Sequence, residues 1–395
     1  MGDTALVIGA GIGGLAAAHA LRRNGWQVEV YERAKDFAQP GSGLSLAPNA
    51  MRAFRHLDLD SAVRGEARRL DGLESRLRTG HRVMRIESDT LAAHYGDGFY
   101  SVGRRELHRA LLDPLDAPVH TAHRALNVIP DGGGAIVTLE GPNGLSAVAA
   151  DLVVAADGVH SALRTVLFPD HPDARYAGYA AWRGIVPADK AGRFDAQWLT
   201  ETWGQGLRIG IRPLGDGRIY WYALDTAPAH AIPAPDLSAL LPRVVNWSGQ
   251  VGAVLAATPA ETVQVHPVHY LATALPRFVR GPVALLGDAA HATTPDLGQG
   301  AALAVEDAVV LARAVTERGV DEGLVSYDTV RRPRAQRIVE RSARMGKALQ
   351  GNTRVTARLR DLTARLTPIT ADAEFTRSLF GWIPPNTQDP LSAAG

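Results

Sequence analysis

The sequence predicts a mixed α/β protein, with a Rossmann-like βαβ unit at its start, a β-sheet region in its middle and helices towards its C-terminal end. Three observations carry that expectation. The run Gly9-Ala10-Gly11-Ile12-Gly13-Gly14 stands between an apolar strand-like segment and an alanine-rich helical one. Tyr179 to Leu224 is rich in Trp, Tyr, Ile and Gly at strand-like spacing. From about Gly300 onward the text is helical and rich in arginine.

Taken in order, Ala5 to Ile8 is a continuous apolar run, as in a strand buried on both faces. The helix after the glycines extends to about Asn24, where Gly25 closes it. Val28 to Tyr31 is a second strand ending at Glu32-Arg33, which completes a βαβ unit. Pro40 to Asn49 reads as a loop, and Leu73 to Ile86 as a hairpin around Thr79-Gly80. Glu106 to Leu115 reads as a helix, and Asp151 to Ala156 as a buried strand leading into Asp157-Gly158. Val283 to Leu286 is another buried strand, and a long helix runs from about Gly300 to Arg318. Beyond it, Arg334, Arg337, Arg341 and Arg344 share one helical face, read as solvated, while Ala335, Ile338, Ser342 and Met345 share another.

Composition narrows the function. A chain of 395 residues allows two packed domains of roughly 100–200 residues each. With 42 Lys+Arg against 41 Asp+Glu, no strong field invites nucleic acid or an anionic membrane. Cys is absent, which excludes disulfides, thiolate metal sites and cysteine nucleophiles, and fits a reducing cytoplasm. The start lacks the basic lead-in and apolar core of a secretory signal. No apolar stretch reaches the roughly 18 residues that a membrane span needs. A soluble, cytoplasmic protein is expected.

In the glycine motif, Gly9 permits a tight turn, Gly11 lets backbone approach a pyrophosphate, and Gly14 allows close helix–strand packing. The helix N-terminus offers amide donors and a positive dipole to phosphates. Glu32 ends the second strand, where a carboxylate can hold ribose hydroxyls. This pattern serves NAD and FAD equally. A second polar site lies far downstream: Asp288 follows a strand and can accept from a sugar or ribityl hydroxyl, and Gly298 to Gly300 open a helix whose amides face whatever lies there. Two such sites so far apart suit a long dinucleotide extended across the fold.

The ordered motifs Gly287-Asp288-Ala289-Ala290-His291, Pro295, Gly298-Gln299-Gly300 and Glu306-Asp307-Ala308, with the N-terminal glycines and Asp157-Gly158, resemble the single-component FAD monooxygenases typified by para-hydroxybenzoate hydroxylase. The resemblance extends to about Arg344. It implies a Rossmann-like FAD-binding domain (residues 1–71, 96–174 and 276–350) interrupted by a β-sheet substrate domain (72–95 and 175–275), with a C-terminal helical segment (351–395). It further implies FAD as cofactor and NADH or NADPH as transient co-substrate. O2 would hydroxylate a small aromatic or heteroaromatic substrate through a C4a-hydroperoxyflavin.

Carried over to this chain, the resemblance places Gly9, Gly11, Gly14, Glu32 and Arg33 at the ADP half of FAD, with Ala125 near the adenine. It places Ser45 beside the flavin, Arg104 or its neighbour Arg105 at the phosphate or ribityl region, Asp157 at an element shared by FAD and NAD(P)H, and Asp288 at the ribityl chain. Many relatives carry Asn after the Gly298-Gln299-Gly300-Ala301 run; here Ala302 removes any such side-chain contact. Within the family, Arg175-Tyr176-Ala177-Gly178-Tyr179 with Trp182, and Thr293-Thr294-Pro295-Asp296, are similar to the urate-hydroxylating branch. That likeness implies a substrate site of Arg208 to hold an anion, Tyr220 to orient it, and Asp296 as general base or partner of the arginine. By chemistry alone, Arg208 and Tyr220 also suit exposed sheet positions, and Asp296 a helix N-cap. Epoxidation or hydroxylation of a polyketide or alkene, and a flavin-binding redox sensor without turnover, are the alternative functions.

Other motifs carry less. His266 and His269 stand in a strand-like stretch without nearby carboxylates, so no metal site is expected. His291 reads as a packed, hydrogen-bonded residue, and no GxSxG nucleophile elbow occurs. Trp382-Ile383-Pro384 matches part of the flavin halogenase tryptophan motif, but it is incomplete and lies near the C-terminal end. Gly204-Gln205-Gly206 lacks the flanking strand and helix of a second nucleotide fold.

Overall fold

The computed structural model describes residues 3–37, 42–366 and 373–385. Strand Thr4–Ile8 lies between Leu152–Ala155 and Gln27–Tyr31, parallel to both. Val283–Leu285 extends this sheet in parallel, and Val119–His120 and Val279–Arg280 close its edges, giving six strands. Val7, Val153, Val154 and Leu285 are fully buried, because helices and a second sheet layer cover both faces. Helix Ile12–Arg23 begins directly after the glycine turn and packs beside the long helix Gly300–Gln350.

The chain also forms a separate seven-stranded sheet. Its order is Gln264–Tyr270, Arg175–Val186, Ile219–Thr226, Leu207–Pro213, Trp198–Trp203, Gly72–Leu77 and Arg82–Glu87. The hairpin of Gly72–Leu77 and Arg82–Glu87 therefore joins strands more than a hundred residues downstream, pairing in parallel with Trp198–Trp203. Period-two alternation divides the faces. Trp182, Ile209, Ile211 and Trp221 form a core with helices Leu241–Val244 and Val251–Ala256. The opposite face carries Tyr179, Glu201, Arg208, Arg212, Tyr220 and Tyr222.

Three local expectations change. Pro40 and Gly41 lie outside the described residues, but Gly43–Leu46 is a strand, and helix Pro48–His56 starts with proline in its first turn. An antiparallel meander of Arg124–Asp131, Gly134–Gly141 and Gly144–Ala150 was not read from the sequence, although Asn143-Gly144 is a hairpin turn signal. The helix from Gly300 ends near Arg318 as expected, where Gly319 breaks the backbone with φ +76°, and a second helical run continues to Gln350. Finally, the arginine stripe is only half solvated: Arg337 and Arg344 are exposed, whereas Arg334 and Arg341 bond to helix Ala373–Phe380.

Candidate active site

A cleft of about 280 Å³ opens at the C-terminal ends of the parallel strands. It gathers Gly9, Gly11, Glu32, Arg33, Arg104, Ala125 and Asp157, residues spread over nearly 150 positions of sequence. Gly9 adopts φ +105°, and a Cβ there would stand 2.4 Å from the Ala156 carbonyl oxygen. A Cβ on Gly11 would meet nothing within 4 Å, so this stretch of backbone is open to the cleft. Gly14 lies outside the cleft wall and serves packing: its Cβ would fall 1.8 Å from the Gly9 carbonyl oxygen.

Glu32 accepts hydrogen bonds from the Ala10 and Ala34 amides, at 2.9 and 2.8 Å. Those bonds tie the glycine turn to the end of the second strand and leave about two of the carboxylate's four acceptor positions for ribose hydroxyls. Arg33, Arg104, Arg105 and Arg124 line the cleft without an ion pair among the described residues. Four cations beside a helix N-terminus fit a diphosphate, so the residues present fit the ADP half of FAD. Asp157 also caps the helix Ala162–Leu167, accepting from Ser161 Oγ at 2.5 Å and the Leu163 amide at 3.2 Å.

Both Arg104 and Arg105 line the cleft, and Arg104 feels the charge of the next stretch. Burial lowers its pKa, and the Asp288 carboxylate and Tyr220 work against that shift. Arg104 thus joins the cleft to Asp288 and the second sheet. Asp288 is exposed and opens the short helix Asp288–His291. Beneath it, Asp307 accepts from His291 Nε2 at 2.5 Å, Arg331 Nε at 2.7 Å and the Gly287 amide at 3.1 Å. Burial would raise the Asp307 carboxyl, but His291 and Arg331 outweigh it and hold it at about 2. His291 is therefore a packed, bonded residue, as its sequence context suggests. Gly298 is left-handed at φ +62°, Gln299 caps the long helix, and Gly300 begins it.

The second-sheet face is buried and charged. Arg208 and Tyr220 are 0% and 3% exposed, which removes the alternative of exposed sheet residues. Arg208 donates from Nε to Gln350 and from Nη1 to Glu201, both at 3.2 Å, and from Nη2 to Asp296. Tyr179 donates to the other Asp296 oxygen at 2.6 Å, and Tyr222 to Glu201 at 2.6 Å. Burial would lower the pKa of Arg208, but Glu201 and Asp296 outweigh it and hold the guanidinium charged. Burial and the neighbouring Asp296 push the Tyr179 phenol up, so it remains a donor. Gln350, at the end of the long helix, also donates to the Gly206 and Leu224 carbonyls and so pins this corner.

Arg212 is a candidate site residue that the sequence reading did not name. It is 6% exposed and donates to Ser45 Oγ and, at 2.7 Å, to the Gly43 carbonyl. Its guanidinium carbon lies 4.9 Å from the Tyr220 ring centroid and 5.8 Å from that of Tyr222. No carboxylate pairs with it among the described residues, and its Nε has no partner. Burial lowers its pKa, with only the two tyrosines working against the shift. The signal was the spacing Arg208, Gly210, Arg212, which puts both arginines on one face of a strand.

A dinucleotide cleft that leads, through Arg104 and Asp288, onto a buried aromatic and cationic sheet face defines a flavin-dependent hydroxylase. The chain belongs to the FAD binding domain family, whose model matches residues 3–342. It is 35% identical over 355 residues to aurachin C monooxygenase/isomerase of Stigmatella aurantiaca, covering 88% of this chain and 89% of that one. It is 36% identical over 345 residues to FAD-dependent urate hydroxylase of Klebsiella pneumoniae, covering 85% and 87%. The crystal structure of Klebsiella pneumoniae HpxO complexed with FAD and uric acid superposes with a TM-score of 0.85 at 32% identity, covering 95% and 96%. The protein is an FAD-dependent monooxygenase of aromatic rings, and these relatives do not favour an epoxidase or a redox sensor without turnover. Among the described residues, no helix is long and apolar enough to cross a membrane.

Proposed function

We propose that the substrate is a compact aromatic or heteroaromatic anion seated on the Arg208–Tyr220 sheet face and paired with Arg212. NADH or NADPH and O2 are the co-substrates in this reading. The observation that carries it is the Arg212 guanidinium, buried without a carboxylate among the described residues. A buried, unpaired charge is costly, and an anionic ligand would offset that cost. Arg208 is less suited to be the principal anion partner, because Glu201 and Asp296 already compensate it. Its two remaining N–H groups can still reach a second acceptor on the ring.

When bound, FAD supplies the redox chemistry: it takes up reducing equivalents from the nicotinamide and activates oxygen. Gly9, Gly11, Glu32, Arg33, Arg104, Ala125 and Asp157 would hold its ADP half. Ser45, Asp288, Gly298 and Gly300 would hold the ribityl chain and ring system. Tyr220, stacked under Arg212, would orient the substrate ring. Asp296, held by Arg208 and Tyr179, would fix the hydrogen-bond geometry at the ring or accept a proton from it. The dry sheet face would exclude water from the reacting ring. The discontinuous division of the chain into an FAD-binding and a substrate domain is supported by the seven-stranded sheet, whose strands all lie within residues 72–95 and 175–275. A cysteine-free chain working on a diffusible metabolite fits the cytoplasm.

Uric acid belongs to this substrate class, and so do hydroxybenzoates. The test is a titration of the FAD-loaded protein with uric acid, 4-hydroxybenzoate and the neutral analogue 4-hydroxybenzamide. Binding is followed by the flavin absorbance, and turnover by NAD(P)H oxidation. An anionic ring is expected to perturb the spectrum and to accelerate oxidation. Arg212→Gln should weaken its binding by roughly ten- to a hundred-fold, about 1.5–3 kcal/mol, with full FAD content. Equal binding of the neutral ring, or an unaffected Arg212→Gln, would sink the proposal.

A further inference from the structure

The C-terminal helix Ala373–Phe380 and Trp382 are built into the nucleotide domain. Leu379, Phe380 and Trp382 are buried, and the Phe380 ring meets Phe99 edge-on with centroids 5.6 Å apart. A helix leaves its last carbonyls without intrahelical donors. Here two guanidiniums take them. Arg334 donates from Nη1 to the Ser378 oxygen at 2.9 Å and from Nη2 to that of Leu379 at 3.2 Å, and Arg52 donates to the Phe380 oxygen.

The other edge of the Arg334 guanidinium makes a two-bond contact with Glu306, Nε to Oε2 at 2.8 Å and Nη2 to Oε1 at 2.9 Å. Glu306 is fully buried; burial would raise its carboxyl, but Arg334 and Arg331 hold it below the usual range. Its Oε1 also accepts from Asn49 Nδ2 at 2.7 Å, and the same Nδ2 donates to Gln299 Oε1 at 2.9 Å. Asn49 and Gln299 are 0% and 1% exposed, and the Asn49 oxygen has no partner among the described residues. Gln299 is the middle residue of Gly298-Gln299-Gly300. A continuous buried path therefore runs from the C-terminal helix to that glycine turn.

We propose that Arg334 and Asn49 are positioning residues for the flavin. Through Glu306 they hold Gln299, and with it the Gly298–Gly300 backbone, in one geometry against the cofactor's ring system, with the C-terminal helix as outer anchor. The proposal rests on the placement of the ring system at Gly298–Gly300. A buried hydrogen-bond network favours a single arrangement, and the planar Arg fork is what lets one residue serve a carboxylate and two carbonyls together. A lysine could meet Glu306 but not the carbonyls as well.

The test strips FAD from the full chain and titrates it back, reading flavin fluorescence and the visible absorbance of the bound flavin. Arg334→Gln and Asn49→Leu should each weaken FAD binding about ten-fold and shift the flavin spectrum, with circular dichroism unchanged. Combined, they should cost no more than the larger single change, because one path is cut twice. Arg334→Lys should recover only part of the affinity. If Arg334→Gln fails to fold, Asn49→Leu and Arg334→Lys carry the comparison. Gln299→Ala separates the two claims: if it leaves affinity and spectrum unchanged, the ring placement itself is wrong. If Gln299→Ala alters both while folded Arg334→Gln and Asn49→Leu bind FAD as the wild type does, the positioning role is overturned. Strictly additive losses overturn it too, since they mark two independent kinds of damage.

Discussion

Arg208 and Arg212 stand four residues apart on one strand face, yet their electrostatic positions are opposite. Arg208 is the counter-ion of Glu201 and Asp296, while Arg212 has tyrosine faces and hydroxyl or carbonyl acceptors but no carboxylate among the described residues. Removing each should therefore fail differently. Arg208→Ala leaves two buried carboxylates uncompensated and should cost about 3–5 kcal/mol of stability. Arg208→Ala combined with Asp296→Asn should regain part of that loss. Urea denaturation of the three proteins checks it; an Arg208→Ala protein as stable as the wild type would show that the carboxylates need no partner. The sequence motifs named Arg208, Tyr220 and Asp296 for this site and contained Tyr179 without a role, but they did not name Glu201 or Gln350. Those partners follow from sheet register, Trp203 opposite Arg208 and Glu201 opposite Gly210, and from a helix end more than a hundred residues away. Such pairings are non-local, so no window of sequence displays them.

At the scale of elements, local chemistry was the better guide. The βαβ unit, the hairpin at Thr79-Gly80 and the strand at Val283 were legible because apolar runs and glycine turns are short-range signals. The helix from Gly300 was legible to its end near Arg318, because Gly319 breaks the backbone there before a second helical run. The arginine face at Arg334 was misread: its partners lie on a helix some 40 residues later, outside any helical repeat. The glycine turn itself gives the sharpest element-level prediction. A Cβ on Gly14 would collide with the Gly9 carbonyl, which is backbone and cannot swing aside; one on Gly13 would meet the Leu286 side chain at 2.8 Å, which can. Gly14→Ala should push the helix away from the strand, cost about 1–3 kcal/mol and empty the cleft of FAD. Gly13→Ala should be milder in both respects. Thermal melting with flavin content by absorbance distinguishes them, and equal behaviour would mean that helix and strand have room to separate.

For the whole molecule, the path that an extended dinucleotide would occupy runs from the Glu32 cleft through Arg104 and Asp288 to the Gly298 turn, and so links the parallel sheet to the buried face of the seven-stranded one. A ligand that touches both sheets should stabilise the chain as one unit. At a free FAD concentration a hundred times its dissociation constant, that stabilisation is about 2.7 kcal/mol. It should appear as a higher denaturation midpoint with FAD, and much less with FMN, which lacks the adenosine that Glu32 and the arginine cluster are placed to hold. Glu32→Ala should lose about 1.5–3 kcal/mol of FAD affinity, because it removes ribose bonds and also frees the Ala10 and Ala34 amides from their shared acceptor. The FAD-induced rise should shrink accordingly. Arg212→Gln lies on the substrate face and should keep that rise in full while losing its response to an anionic ring. The comparison between these two variants tests the division of labour directly. If Glu32→Ala keeps its FAD shift, the nucleotide path is misplaced; if Arg212→Gln loses it, the buried guanidinium belongs to the cofactor rather than the substrate.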